Sequence, residues 1–251
     1  MKAPGWIGVP TTSIGLPRRT RIAQVLLPGI VAAGVVLSSP AVASASCYPG
    51  RPNDSNYYFT GWNSPQVVYG EATANSSNIY NYPSPYVYPG SGDFSWVMLN
   101  GTVGTEYAQV GWVQDPGRNT FTEWNTHGVI GDNFSITPQT PGTTSWYEVD
   151  TLGGQISTDY CFFVNGNEVG GCSGYIGWYA SYGEDNSEIH TAADQMPGGI
   201  YQPEVWNNAF LFNNNVQQNF NGSLVNYNPA WFNAVVYSQT MAQAGDAYCS
   251  S

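Results

Sequence analysis

The chain has 251 residues, with 17 acidic side chains against 6 lysines and arginines, and a formal net charge of −11 at neutral pH. Nucleic acids and anionic membrane surfaces bind basic faces, so this charge argues against both kinds of partner. Only 9% of the residues are charged, 15% are aromatic, and 29 glycines and 17 prolines indicate many turns. This composition is typical of an all-β fold.

The first 45 residues have the pattern of a secretory signal peptide. An arginine-rich stretch over 18–21 precedes a largely apolar run over 22–37, and the small residues Ala43-Ser44-Ala45 supply a cleavage site. The apolar run is shorter than the roughly 20 residues that a transmembrane helix needs. We therefore expect a secreted protein with no membrane anchor after cleavage of 1–45, and a single mature domain over 46–251.

Removal of the signal segment would make the remaining chain more acidic. Apart from histidine, it keeps only Arg51 and Arg118 as basic residues, together with all 17 acids. Carboxylates begin to neutralise near pH ~4, and a chain with so few bases would not become strongly cationic in acid. We expect a protein suited to an acidic environment.

All 4 cysteines lie after the signal segment, and an even number in an exported chain predicts disulfides. We favour Cys161 with Cys172, across a hairpin whose turn is Asn165-Gly166. Cys47 with Cys249 would then join the two ends of the domain, although the other pairings stay open. None of the cysteines forms a Cys-x-x-Cys pair and the chain has only 2 histidines, so we expect no metal site and no cofactor.

Ten runs rich in β-branched and aromatic residues predict strands separated by turn sequences. The predicted strands are 57–62, 67–74, 94–99, 107–114, 120–124, 134–137, 146–150, 159–164, 175–182 and 208–212. A short helix is expected over 230–242, and the Asn- and Gln-rich segment 213–228 is expected to be an irregular surface excursion. The pattern predicts a single two-sheet antiparallel β-sandwich of the concanavalin-like or jelly-roll-like kind.

The densest group of chemically active side chains follows the predicted strand 175–182. Its members lie within 184–194 and are Glu184, Asp185, Glu188, His190 and Asp194. We expect the strand to present Glu184 and Glu188 at its end. The alternative is a solvated acidic loop at a sheet edge.

A second unusual position is Gln109, in the middle of the predicted strand 107–114. Alternation places Gln109 on the same face as Tyr107 and Gly111, opposite Trp112. An amide is an uncommon choice for a core face. Gln109 therefore either points to solvent from an open sheet face or belongs to a functional site.

Four patches stand in order along about 57–215: SWVMLNG at 95–101, AQVGW at 108–112, TFTEW at 120–124, and YGE at 182–184 followed by DQMPG at 194–198. In order and approximate spacing they resemble the glutamic peptidases, nearest to the neprosin family and more distantly the eqolisin family. The resemblance implies a two-sheet β-sandwich endopeptidase that works in acid. Its catalytic pair would be Glu and Gln, as in eqolisins, or two Glu residues, as in neprosins.

On this resemblance Gln109 stands at the first position of the catalytic pair and Glu184 at the second, with Glu188 as the alternate base. A Glu carboxylate can take a proton from water and return it to the leaving amine. A Gln amide can donate a hydrogen bond to the oxyanion. Because Gln is uncharged, we expect Glu184 to stay ionised in acid, where a second carboxylate would raise its pKa.

The sequence therefore predicts a secreted, monomeric, acid-active glutamic endopeptidase that acts on polypeptides without metal. We expect Trp96, Glu123 and Trp124 to line its substrate groove. Cleavage after proline, a preference of neprosins, stays open because Gln109 is the eqolisin type of residue.

Two other functions also stay open. The sequence EDNSE at 184–188 resembles the Glu-x-Asp-x-Glu strand of laminarinase-type glycoside hydrolases, although Asn186 replaces the central Asp. A non-catalytic carbohydrate- or ligand-binding module would need an aromatic face. The candidates for such a face are Trp96, Trp112, Trp124 and Trp178.

Overall fold

A computed structural model describes residues 51–65, 72–82, 87, 91–114, 117–133, 136–199, 201–226 and 231–246. Every described residue belongs to one compact unit. The predicted signal segment and the predicted pairing of Cys47 with Cys249 lie outside the described residues. Within these ranges, no helix is both long and apolar enough to span a membrane.

Strands account for nearly all of the regular structure. They are β1 Tyr58–Asn63, β2 Ala72–Tyr80, β3 Asp93–Asn100, β4 Glu106–Gln114, β5 Arg118–Thr126, β6 Val129–Asn133, β7 Thr144–Thr151, β8 Asp159–Val164, β9 Asn167–Tyr175, β10 Tyr182–Ile189, β11 Glu204–Asn213, β12 Val216–Asn219, β13 Ser223–Asn226, β14 Phe232–Ser238 and β15 Met241–Asp246. A 3-10 turn at Leu152–Gly154 follows β7.

The strands form two antiparallel sheets, which confirms the predicted β-sandwich. Sheet A has the order β13-β1-β10-β3-β4-β5-β6. Sheet B has the order β14-β15-β11-β2-β7-β8-β9, with β12 beside β11. Neighbours in space are often distant in sequence: β10, for example, lies between β1 and β3.

The main hydrophobic core lies between the two sheets. Sheet A contributes Val97, Val110 and Trp112 to this core, and sheet B contributes Val149 and Phe162. Because side chains alternate along a strand, the remaining residues of sheet A point away from sheet B, to what we call the outer face. A smaller apolar cluster lies on this outer face and contains Phe94, Trp96, Met98, Val113 and Phe121.

The predicted hairpin of β8 and β9 is confirmed. Asn165 and Gly166 both have positive φ, 50° and 78°, as the tight turns that fit the twist of paired strands require. Cys161 and Cys172 face each other across the two strands and form a disulfide.

Removing this disulfide should weaken the domain without unfolding it. The bond closes a short loop, with a sequence separation of 11, and loop-closure entropy for such a length corresponds to roughly 2–3 kcal/mol. We expect the double variant C161S/C172S to lose about that much unfolding free energy in urea titration. An unchanged denaturation midpoint would contradict the expectation.

The predicted strand over 175–182 is wrong. The chain leaves β9 at Tyr175 and has no regular structure until β10 begins at Tyr182. Of the aromatic residues in this segment, Trp178 packs in the core, where its Nε1 donates to the Asn125 carbonyl at 3.1 Å, whereas Tyr175 and Tyr179 are exposed. The acidic stretch that follows is itself a strand, β10, so Glu184 lies within a strand and not after one.

The predicted helix over 230–242 is also wrong, because its described residues belong to the hairpin of β14 and β15. Buried Phe232 and Ala234 alternate there with exposed Asn233 and Val235, which is the period of a strand.

Other boundaries shift. The segment 213–228, expected to be irregular, contributes β12 and β13. The predicted strand 67–74 lies partly outside the described residues, and β2 continues from Ala72 to Tyr80. The predicted strand 134–137 also lies partly outside the described residues, and the structure has an unpredicted strand, β6, at Val129–Asn133.

Candidate functional site

Two predicted site residues lie in one cross-strand row of sheet A. Glu184 of β10 pairs with Met98 of β3, and Met98 pairs in turn with Gln109 of β4. Directly opposed residues point to the same side of a sheet, so Glu184 and Gln109 flank Met98 on the outer face. Neighbouring strands lie about 4.8 Å apart, which places the two backbones roughly 10 Å apart. The Met98 side chain lies between them on the same face.

The same row is polar on both sides. Asn63 of β1 pairs with Glu184. Glu123 of β5 pairs with Gln109, and Asp132 of β6 pairs with Glu123. We call this set the polar row: Asn63, Glu184, Met98, Gln109, Glu123 and Asp132.

Glu123 orients the amide of Gln109. Gln109 Nε2 donates to Glu123 Oε1 at 3.2 Å, and the Tyr107 hydroxyl donates to the same oxygen at 2.5 Å. An ionised carboxylate only accepts hydrogen bonds, so this contact fixes the nitrogen side of the Gln109 amide towards Glu123. The amide nitrogen carries two N–H groups, and the second can donate to a ligand. Glu123 was expected to line a groove, and here it also holds Gln109.

The charge state of Glu123 depends on opposing effects. Burial raises its pKa, the nearby carboxylates of Glu188 and Asp132 raise it further, and the hydrogen bond from Tyr107 lowers it. Tyr107 has a raised pKa, mainly because of burial, and so remains a hydrogen-bond donor.

Glu184 lies among neutral amides. Asn186 Nδ2 donates to Glu184 Oε2 at 3.3 Å, and the side chains of Asn100 and Asn63 also lower the pKa of this carboxylate. Burial raises the pKa of Glu184 to about 7, while the three amides act in the opposite direction by stabilising the ionised form. The expectation that Glu184 stays ionised in acid is therefore wrong. Burial alone raises its pKa, without a second carboxylate as partner.

Glu188 shares the strand and the face of Glu184 but lies in another row. It pairs with Phe94, and its Oε1 is 2.9 Å from His190 Nε2. The His190 ring stacks on Phe94, with 4.5 Å between the ring centroids. At about 3.3 Å per residue, Glu188 lies roughly 13 Å along β10 from Glu184. The register therefore aligns Glu184, and not Glu188, with Gln109.

The two tryptophans expected in the groove lie on opposite faces. Trp96 belongs to the outer-face cluster and pairs with Gly111, next to the polar row. Trp124 follows Glu123 in the strand and so points the other way, where its ring stacks on Phe162 of sheet B at 5.8 Å. Trp124 thus packs against the core and does not join the other predicted site residues.

The tryptophans also bear on the idea of a binding module with an aromatic face. Trp112 and Trp178 are both buried in the core between the sheets. With Trp124 packed against the same core, only Trp96 of the four candidates lies on the outer face, and it is 4% exposed. These four side chains therefore do not form a shared platform for a sugar.

Solved structures with a similar fold include glutamic peptidases. Scytalido-glutamic peptidase, in complex with a peptide-based transition-state analogue, matches with a TM-score of 0.57 and 14% identity, over 78% of this chain and 100% of that one. SCP-B, a member of the eqolisin family in complex with the tripeptide Ala-Ile-His, matches with a TM-score of 0.56 and 14% identity, over the same shares. No protein-family model and no curated protein sequence matches the chain. At this identity the likeness shows a shared fold.

Proposed function

We propose that the protein is a secreted glutamic endopeptidase of the eqolisin type. The observation that carries this proposal is the register of sheet A, which aligns Gln109 and Glu184 on either side of Met98. The fold shared with peptidases that were solved with a peptide-based inhibitor and a tripeptide supports it.

In the proposed reaction, the ionised Glu184 takes a proton from a water molecule while the water oxygen attacks the scissile carbonyl carbon. The electrons of the carbonyl bond move to its oxygen, and Gln109 donates a hydrogen bond to this oxyanion. Protonated Glu184 then gives its proton to the amide nitrogen as the carbon–nitrogen bond breaks. Glu123 acts through Gln109 by fixing the direction of its amide.

The raised pKa of Glu184 bears on the pH range of this reaction. The base must be ionised, and with a pKa of about 7 the ionised form is scarce in strong acid. We therefore propose activity in mildly acidic to neutral solution, in place of the strongly acidic range that the family resemblance implies.

The proposal also includes the class of substrate and the cellular compartment. We propose that the protein acts as a monomer on polypeptides, and the Cys161–Cys172 disulfide supports export to an oxidising compartment. The resemblance of the sequence patches to neprosins stays an interpretation, and we propose no preference for proline.

Replacing Gln109 by Ala tests the oxyanion role. Loss of one oxyanion donor typically lowers kcat by about 10²–10³-fold, and we expect that loss with little change in KM. The measurement is steady-state cleavage of a denatured protein or fluorogenic peptide, with pepstatin present to suppress contaminating aspartic peptidases.

Gln243 provides the matched control, because it is also a half-buried glutamine within a strand but lies on sheet B. We expect Q243A to keep the wild-type kcat. Full activity in Q109A would overturn the proposed role, and release of sugar from β-glucans in place of peptide cleavage would favour a glycoside hydrolase.

A further inference from the structure

Asn75 bonds to the active-site strands from the opposite sheet. This side chain belongs to β2 of sheet B and is fully buried. Its Nδ2 lies 3.0 Å from the Met98 carbonyl, 3.0 Å from the Glu184 carbonyl and 3.1 Å from Asp185 Oδ1. Because Met98 and Glu184 are directly paired in the polar row, one amide group contacts the backbone of β3 and β10 at the same point.

Gly183 leaves the space that this contact needs. A Cβ atom at Gly183 would lie 3.0 Å from both Cγ and Nδ2 of Asn75, and 3.2 Å from Leu211 Cδ1. Such distances would force Asn75 to move. The glycine of the Tyr182-Gly183-Glu184 sequence therefore permits the close approach of Asn75, which the sequence pattern alone does not explain.

Asp185 completes the arrangement. It follows Glu184 in β10, points inward and is fully buried. Its Oδ1 accepts from Asn75, and the two backbone carbonyl groups can only accept, so these contacts fix the nitrogen side of the Asn75 amide towards sheet A.

We propose that Asn75 is a positioning residue for the peptidase reaction. With Asp185 as its anchor, it locks the backbone at Met98 and Glu184 and so sets the direction of the Glu184 carboxylate relative to Gln109. The catalytic consequence rests on the proposed function. A misplacement of about 1 Å in an active site can lower the rate by roughly 10²-fold, so a small movement of β10 is enough to be measured.

The first test compares Asn75 with another buried asparagine. We expect N75A and N75D, which both lack the amide donors, to lower kcat by about 10–100-fold with little change in KM. Asn81 is the control: it is also fully buried, and its Nδ2 donates to Thr143 Oγ1 at 3.3 Å and Ser145 Oγ at 3.4 Å. N81A should lower the melting temperature and leave kcat of the folded protein unchanged. Equal kcat values for N75A and wild type would overturn the proposal.

A double-variant cycle separates positioning from general destabilisation. G183A should lower kcat because its new methyl group displaces Asn75. In N75A/G183A that methyl group meets a smaller side chain, so the double variant should be no slower than N75A alone. If the fold-decrease in kcat of N75A/G183A equals the product of the two single decreases, Asn75 and Gly183 act independently, and the proposed contact between them is overturned.

A measurement that needs no substrate tests the Asn75 contact separately from the proposed peptidase function. Absence of cleavage by the wild-type protein would end the proposed function, but the contact could still be observed by ¹⁵N NMR. We expect the side-chain amide protons of Asn75 to exchange with deuterium as slowly as core backbone amides. N75A should speed exchange in β10 more than in β7. Fast exchange at Asn75 would overturn the contact itself.

Discussion

Glu184→Gln is expected to lower kcat for peptide cleavage by about 10²–10⁴-fold, the usual contribution of a general base or acid. Gln has nearly the same shape and can still accept from Asn186, but it cannot take a proton from water. The measurement is the initial rate of peptide cleavage from about pH 4, near the ordinary pKa of Glu, to about pH 8, roughly one unit above the raised pKa of Glu184. We expect the full loss near pH 8, where Glu184 of the wild-type protein is ionised, and a smaller loss towards pH 4, where protonation of Glu184 already lowers the wild-type rate.

Glu188→Gln is the matched control, because Glu188 lies on the same strand and face but in the row of Phe94. This variant should keep most of the activity, since its partner is His190 and not Gln109. Loss confined to E188Q would move the base four residues along β10 and would require another partner than Gln109. Loss in neither variant would exclude both carboxylates.

The pH profile of the wild-type protein gives an independent check of Glu184. Because burial raises the pKa of this group to about 7, kcat/KM should rise with pH along a limb with an apparent pKa near that value. The value of kcat/KM should increase, and not decrease, with pH because only the ionised form of Glu184 can act as the base. Full activity in strong acid would contradict either the burial of Glu184 or its role.

Local sequence patterns singled out Gln109 and Glu184, and the family resemblance paired them, but neither predicted the way in which they meet. Gln109 was identified as a polar residue within a strand, and Glu184 as part of an acidic cluster. Their common row depends on β3 lying between β4 and β10, and this pairing is non-local. The structure also adds Tyr107 and Asn75, whose contacts with the site could not be read from spacing along the chain.

The prediction that Trp124 lines the groove is wrong, and strand alternation in the sequence already argued against it. Glu123 and Trp124 are consecutive in a predicted strand, and consecutive side chains point to opposite faces. A groove that contains Glu123 therefore cannot also contain Trp124. The error over 175–182 has a different origin: Trp178 is buried in a loop and not in a strand, and Tyr175 and Tyr179 are exposed.

The sequence also did not predict which acidic side chains are buried. Their burial determines how the stability of the fold depends on pH. Burial raises the pKa of Asp185 to about 7 and that of Glu204 to about 8, and it raises the pKa of Asp93 as well. Glu204 accepts from Trp112 Nε1 at 3.3 Å. Arg118, whose guanidinium lies over the Trp112 ring, lowers the pKa of both Glu204 and Asp93 but outweighs burial in neither.

The fold should therefore lose stability as the pH rises from about 4 to about 8. An unfolded chain releases these protons near pH ~4, whereas the folded protein holds them until about pH 7 for Asp185 and about pH 8 for Glu204. Between these limits the unfolded state binds fewer protons, so the free energy of unfolding falls with rising pH. Asp185, Glu204 and Asp93 all contribute in this direction.

Urea denaturation at a series of pH values measures this slope, and D185N tests its origin. Asn keeps the oxygen that accepts from Asn75 but has no proton to lose, so D185N should flatten the dependence between pH 4 and pH 7, the interval over which Asp185 contributes. The exposed Glu168 of β9 supplies the control, and E168Q should leave the slope unchanged. Stability that increases towards pH 8 would contradict the burial of these acids. With the expected slope, a rise in pH favours the ionised form of Glu184 that catalysis needs, while ionisation of the buried carboxylates opposes folding.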